Sequence, residues 1–436
     1  MFASLLYGTV IAFWIMSVLC GVACIRVPSL ALVPAAYISW SIAIAAQVTG
    51  LSRGHPLDIA PLPEVSFGLA LGFLILRLHD WFTSRFSRVL PVNSASEFAR
   101  VFVFFAIGIH LANYFWSAIA KLTLDGPPLA WATFNNPLYL YLAALDNGYI
   151  VFSEFDSLVR LLATLIDQTH LASNALILSI QFLAIAGFLM PKRWLIALLL
   201  AFDVMHVSIW VIAGANFWPW ILLNVAVVYV VSMREYRQPR LLIALLGAAF
   251  IVIAPKIANV AWLGWFDSGA NNKAFFEAED TAGQRYYVPP NFFGFYSYPM
   301  AHMLYGMPEP DTAFATYHPN GSAYELSVAQ AGVVCNSAGL LRPETQHALS
   351  PAFKRFVVNY HNLARSIARR YGGFPYDLYA HHFYVNPARS AGFKNLSMEN
   401  VVAYVYKRES VCLSLLNGAP HRKVISRGEI RIDIPR

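Results

Sequence analysis

Apolar runs of membrane length recur along the first 262 residues and then stop. A run of about 18 residues can cross a bilayer as a helix, because a helix satisfies its backbone polar groups within the segment. Such runs occupy 5–25, 29–51, 62–78, 97–120, 174–190, 194–212, 217–232 and 241–262. The stretch 158–166 is apolar but too short to span, and reads as re-entrant or lying along the surface. Only 13% of the chain is charged and 58% is hydrophobic, where a soluble protein carries roughly 25% charged residues. The expected fold is mainly α: a polytopic transmembrane bundle of about eight helices over residues 1–265.

Loop charges set the orientation. One set of loops holds Arg26, then Arg77, Arg85, Arg88 and Arg100, then Lys192 and Arg193, then Arg234, Arg237 and Arg240. The opposite set holds Arg53, Lys121, Arg160 and little else. This asymmetry puts both termini outside, with a bacterial inner membrane as the expected location and the outer face periplasmic. The first run has no positive charge before it, so it reads as a retained helix, not a cleaved signal. The net charge of +7 is scattered through short loops; it reports topology and gives no sign of nucleic-acid binding.

From Asp267 onward, charges rise and no spanning run remains. Residues 266–436 are expected to form a small α+β domain on the outer face. Arg285–Val288 and 401–406 read as strands. Pro351–Tyr371 has helical periodicity and meets a stop at Gly372-Gly373. The segment 122–172 is aromatic-rich and too long for a simple loop; it reads as an interfacial lid. Cys335 and Cys412 are the disulfide candidates of the polar part, and their pairing depends on the compartment. Cys20 and Cys24 sit one turn apart in the first run and read as apolar filler.

The stretch Asn113 to Trp131 (NYFWSAIAKLTLDGPPLAW) runs a long apolar helix into Lys121 and then breaks. Lys121 has two readings. It is a snorkelling anchor with its ammonium at the headgroups, or a lysine desolvated by protein and usable as a base near neutral pH. A second stretch, Asp203 to Trp220, places Asp203 one turn before His206, so the carboxylate can orient or charge the imidazole. The plain alternative is a buried histidine bonded to a neighbouring helix. Gly214, Phe217 and the WPW after it read as a helix break packed with aromatics. His110 lies three turns before Lys121. Paired with His206 it matches only weakly the pattern of a haem site, and no metal is expected. Asp377, His381 and His382 fall between prolines and read as a loop. HExxH, CxxC, GxSxG and phosphate-loop motifs are absent from the sequence.

Tyr114-Phe115, then Lys121-Leu122 and a following tryptophan, resemble the segment bearing the catalytic lysine of vitamin K-dependent γ-glutamyl carboxylase and of related bacterial HTTM-domain proteins. The run from His206 through Gly214 to Phe217 is similar to that family's histidine-bearing helix and the segment after it. The resemblance covers residues 60–265. It implies that Lys121, as free amine, deprotonates a reduced membrane quinone. Oxygen then adds, and the strong base produced removes a proton from a glutamate side chain, which takes up carbon dioxide. Lys121 and His206 are then the catalytic candidates, with Tyr114, Phe115, Trp131, His110, Asp203 and Phe217 around the quinone. The partners implied are the lipid bilayer, the quinone, and a secreted protein or peptide substrate. Trp131 follows an inserted Gly126-Pro127-Pro128 turn, and the family's large luminal domain is replaced by a much smaller one. Two other readings come from different classes. One is a non-catalytic scaffold or assembly factor for a secreted or redox partner. The other is a DoxX-like quinone electron-transfer protein.

Overall fold

The structure is a computed structural model that describes residues 95–233, 239–256, 260–296, 349, 351–376, 379–380 and 382–435. The expected runs at 5–25, 29–51 and 62–78, together with Cys335, Asp377 and His381, lie outside the described residues. The described chain is mainly helical, with a small antiparallel sheet. In order, the helices up to residue 253 are α1 (Ala95–Leu122), α2 (Ala130–Phe134), α3 (Pro137–Asn147), α4 (Asp156–Leu183), α5 (Lys192–Ala213), α6 (Trp218–Ser232) and α7 (Leu241–Ile253). Strands β1 (Ala270–Asp280) and β2 (Arg285–Val288) follow, then α8 (Pro351–Tyr371), β3 (Tyr379–Ala380), β4 (Phe383–Tyr384), α9 (Pro387–Lys394), β5 (Val401–Leu416) and β6 (Ala419–Asp433). Two of the described helices, Asp156–Ala186 and Lys192–Ala213, are long and apolar enough to cross a membrane.

Two expectations are corrected. The short stretch 158–166 and the run 174–190 are not separate: α4 is one continuous 28-residue helix. It contains no glycine or proline to break it. Its polar residues Asp167 and Asn174 lie two turns apart on one face, and both are bonded. Asn136 Nδ2 donates to Asp167 at 2.8 Å, and Asn174 Nδ2 donates to the Asn135 carbonyl at 2.7 Å. The run 241–262 is likewise helical only to Ile253, followed by a 3-10 turn over Ala254–Lys256. Pro255 has no N–H to give the Ile251 carbonyl one turn back. The Trp116 indole N–H donates to that carbonyl instead, at 3.0 Å.

The described chain forms two compact units. The first comprises 95–119, 179–203 and 218–262. It is a packing of apolar helices in which Phe104 stacks on Phe188 at 4.0 Å and Trp116 meets Trp262 at 5.4 Å. The second comprises 120–178, 204–217 and 263–436.

The second unit is built on an antiparallel sheet of order β2-β1-β5-β6. The register pairs Phe276 of β1 with Tyr406 of β5. Phe276, Tyr404 and Tyr406 gather against Phe353 of α8 and against Phe292 and Phe293 after β2. Burying side chains of this size supplies about 1.5–3 kcal/mol each, which is why α8 is held on the sheet. The periodicity of α8 is thus realised with the bounds read from the sequence, and β2 likewise. The strand expected at 401–406 is the first part of the longer β5. Further along, Val411 and Leu413 of β5 join a core with Leu138, Tyr141 and Leu142 of α3. A buried ion cluster ties the same helix down: Asp146 accepts from Lys273 Nζ and from Arg422 Nε, each at 2.6 Å. Cys412 of β5 is disulfide-bonded.

Candidate functional site

Lys121 occupies the last turn of α1, just past the apolar stretch 97–120. Its side chain is only 9% exposed. Nζ donates to the Leu263 carbonyl at 2.7 Å and stands 5.2 Å from the centre of the Trp131 ring. The chain reaches Lys121 in this way because Gly264 has no side chain. A Cβ there would lie 2.6 Å from the carbonyl carbon and oxygen of Ala120. The segment carrying Leu263 therefore passes directly against the end of α1.

The wall opposite comes from the turn that follows Lys121. Gly126 adopts φ 122 and Leu129 φ 63, so the Gly126-Pro127-Pro128 turn folds back and starts α2. Trp131 then lies on a fixed short helix, its indole N–H donating to the Trp265 carbonyl at 2.9 Å. Asn135 caps the C-terminus of α2, and Asn136 caps the N-terminus of α3 through its side chain. The Asn-Asn-Pro sequence thus turns the chain and leaves the Asn135 amide free for a second task. Asn135 Nδ2 donates to Asp267 Oδ2 at 3.0 Å, and the Asp267 backbone N–H donates to Asn135 Oδ1 at 2.6 Å. Trp265 Nε1 donates to the other carboxylate oxygen at 3.0 Å.

These neighbours shape the acid–base behaviour of the pair. Burial draws the Lys121 ammonium down from 10.5 to about 7, while the charge of Asp267 pulls the other way. Burial pushes Asp267 up to about 6, against the two N–H donors and the charge of Lys121. An amine poised near neutrality, facing an indole ring and backed by a carboxylate, can take a proton from a weak acid. The carboxylate then stabilises the ammonium that forms.

His206 is elsewhere in the second unit, on α5. Phe217 lies 5.5 Å from it and 5.0 Å from His382. The expected break after α5 is present. Gly214 has φ 68, and a Cβ there would fall 2.0 Å from the Tyr149 carbonyl oxygen. The released chain pairs with the β4 hairpin through Asn216 N–H to the His382 carbonyl (2.7 Å) and Tyr384 N–H to the Gly214 carbonyl (2.9 Å).

Four other expected site residues belong to the first unit. His110, Tyr114 and Asp203 converge on one buried residue, Asn224 of α6. His110 Nε2 lies 2.7 Å from Asn224 Oδ1, and Asn224 Nδ2 donates to Asp203 Oδ1 at 2.6 Å and to the Tyr114 hydroxyl at 3.1 Å. The Asp203 carboxylate accepts from Asn224. Phe115 packs on Trp116 and Phe182, at 5.7 and 5.6 Å, as a core aromatic. Asn224, Asn135, Gly264 and Asp267 were not legible as site residues. The Asn-Asn-Pro capping signal and the aspartate at the charge boundary were their only traces in the sequence. Among the described residues no group of three or more His, Cys, Asp or Glu is arranged to hold a metal ion. No family model matches the chain, and no curated protein or solved structure matches it.

Proposed function

We propose that this chain is a multi-pass helical membrane protein of the HTTM and vitamin K-dependent carboxylase type, in which Lys121 is the base toward a membrane quinol at the outer face. The observation that carries the reading is the protein-buried amine of Lys121, drawn to about 7 and set against the Trp131 ring. A snorkelling anchor would keep its ammonium in water; this one donates to a backbone carbonyl beneath an indole. The residues suit a flat, weakly acidic hydroxyl compound: the amine takes the proton, the indole offers a ring face, and Asp267 holds the resulting ammonium. A reduced quinone supplies the reducing chemistry when bound.

The bundle would hold about eight spanning helices, with the outer domain presenting a secreted protein or peptide. The disulfide at Cys412 supports an outer, oxidising compartment for that domain. Cys335 is the partner this reading assigns. The scaffold alternative draws on β6, the terminal strand of the sheet, as the edge a partner would meet. The electron-transfer alternative needs quinol oxidation without oxygen uptake.

Oxygen consumption by the purified protein with menaquinol or vitamin K hydroquinone tests the reading. Wild type should consume oxygen, and Lys121→Ala and Lys121→Arg should not, because a guanidinium keeps its proton. Equal uptake by wild type and Lys121→Arg would refute the base role. Reduction of an added acceptor with no oxygen uptake would favour electron transfer, and inertness toward quinol would favour the scaffold.

A further inference from the structure

The ion cluster around Asp146 in the second unit holds more positive charge than its carboxylates offset. Asp146 accepts from Lys273 and Arg422, and Glu409 accepts from Arg422 and Arg427. Three cations thus share two carboxylates. A fourth arrives from α9. Asn386 caps that helix and donates its backbone N–H to the Gly148 carbonyl at 3.2 Å, which fixes α9 beside the end of α3. Arg389, in the first turn of α9, then donates Nη1 to the Asp146 carbonyl at 2.6 Å. Its guanidinium stands 4.6 Å from the centre of the Tyr287 ring and pairs with no carboxylate among the described residues. Four cations against two carboxylates leave two positive charges over.

Burial makes that excess costly. Lys273 is 3% exposed and Glu409 5%. Burial draws the Lys273 ammonium below its ordinary value, Asp146 opposes this, and the charges of Arg389 and Arg422 add to it. Tyr287 gives an independent sign. Its hydroxyl is buried and has no hydrogen-bond partner among the described residues, and the charges of Arg389 and Asp146 both reach it. Native structures seldom leave a buried donor of this kind bare. The cluster meets solvent through Arg389, which is exposed, and Arg422, which is partly so.

We infer that this cluster is a binding site for a dianionic phosphate monoester. Arg389 and Arg422 flank the phosphate, Tyr287 donates its hydroxyl to one oxygen, and Lys273 supplies charge from the buried floor. A phosphate monoester carries close to two negative charges at neutral pH and three strong acceptor oxygens, which matches both the excess and the donors. A carboxylate or a phosphodiester brings one charge and leaves a cation unbalanced. The planar fork of a guanidinium suits phosphate oxygens. The site does not depend on the role of Lys121.

The test titrates full-length protein, in nanodiscs of zwitterionic lipid, with phenyl phosphate and with methyl phenyl phosphate by calorimetry. The two probes differ by one negative charge. Above neutral pH the monoester should bind about tenfold more tightly, and the difference should shrink below about pH 6 as its second charge is lost. Arg389→Gln and Tyr287→Phe should each weaken the monoester about tenfold, the value of one hydrogen bond to a charged group. Tyr287→Phe keeps the ring under Arg389, so it reads the hydroxyl without disturbing the fold. Equal affinities for the two probes, or variants that bind the monoester as wild type does, would overturn the proposal. Repeating the titration in nanodiscs that contain phosphatidic acid separates two sources of the same chemistry. Loss of phenyl phosphate binding there supports the site with a lipid headgroup as its occupant, and retained binding supports it with a soluble monoester.

Discussion

Lys121 should titrate near pH 7, and the consequences extend to the stability of the whole protein. An ordinary lysine titrates at 10.5, and burial draws this one to about 7. At 1.36 kcal/mol per pH unit the difference is about 5 kcal/mol, charged against the ammonium form in the folded state. Between pH 7 and 10.5 the unfolded chain binds a proton at this position that the folded protein does not. Stability must therefore rise with pH across that window, by up to about 5 kcal/mol from this group. Below pH 7 both states are protonated and the full cost is present. Lysine labelled with carbon-13 at Cε, read by NMR between pH 5 and 11, gives the midpoint directly; the resonance is assigned by its absence in Lys121→Met. Asp267→Asn removes the charge that raises the lysine, so its midpoint should fall below that of wild type. Thermal unfolding over the same range should lose part of its upward slope in Lys121→Met. A Lys121 midpoint near 10.5, or an unaltered slope in Lys121→Met, would refute the argument from burial.

Three further perturbations probe the supports of the site. Gly264→Ala places a methyl 2.6 Å from the Ala120 backbone; the resulting shift should cost about 1–3 kcal/mol and return the Lys121 midpoint toward 10.5, both readable by the assays above. Gly214→Ala meets the Tyr149 carbonyl at 2.0 Å and forces a positive φ on alanine. It should loosen the pairing of 214–216 with 382–384, seen as faster hydrogen exchange at Asn216 and Tyr384. Asp146→Ala strands buried Lys273, which is 3% exposed. Breaking a buried pair from one side costs about 3–5 kcal/mol, so the melting temperature should drop well below that of wild type, whereas Lys273→Met with Asp146→Leu should recover much of it.

How far the residues could be read in advance differs by kind of element. The α8 helix was legible to the residue because its apolar positions recur at helical spacing and a Gly-Gly pair ends it. Strands β1 and β6 were not. β1 carries Asn271, Asn272 and Lys273, and β6 carries six charged residues among its 15; both gain their place from pairing with β5, which for β1 joins residues far apart in sequence. The helix α4 was divided in the reading because Asp167, His170 and Asn174 interrupt its apolar run. Its partners Asn135 and Asn136, which make those polar side chains tolerable, are visible only once the chain is folded.

By itself the sequence determined the helical character of most of the described residues between 95 and 253, the change of composition at Asp267, and the helix ends at Lys121 and Gly214, because hydrophobic period and breaker residues act locally. Tertiary structure decided the surroundings of Lys121. Whether Lys121 is an anchor or a base depends on the Trp131 ring, the Leu263 carbonyl and Asp267. These residues lie up to about 146 positions along the chain and are brought to it by the Gly264 approach and the Asn135 amide. In the first unit, Asn224 of α6 likewise gathers His110 and Tyr114 from α1 and Asp203 from α5. Local pattern reports which face of a helix is apolar. The proton affinity of a side chain depends on which distant groups displace its water, and that is fixed only by the fold.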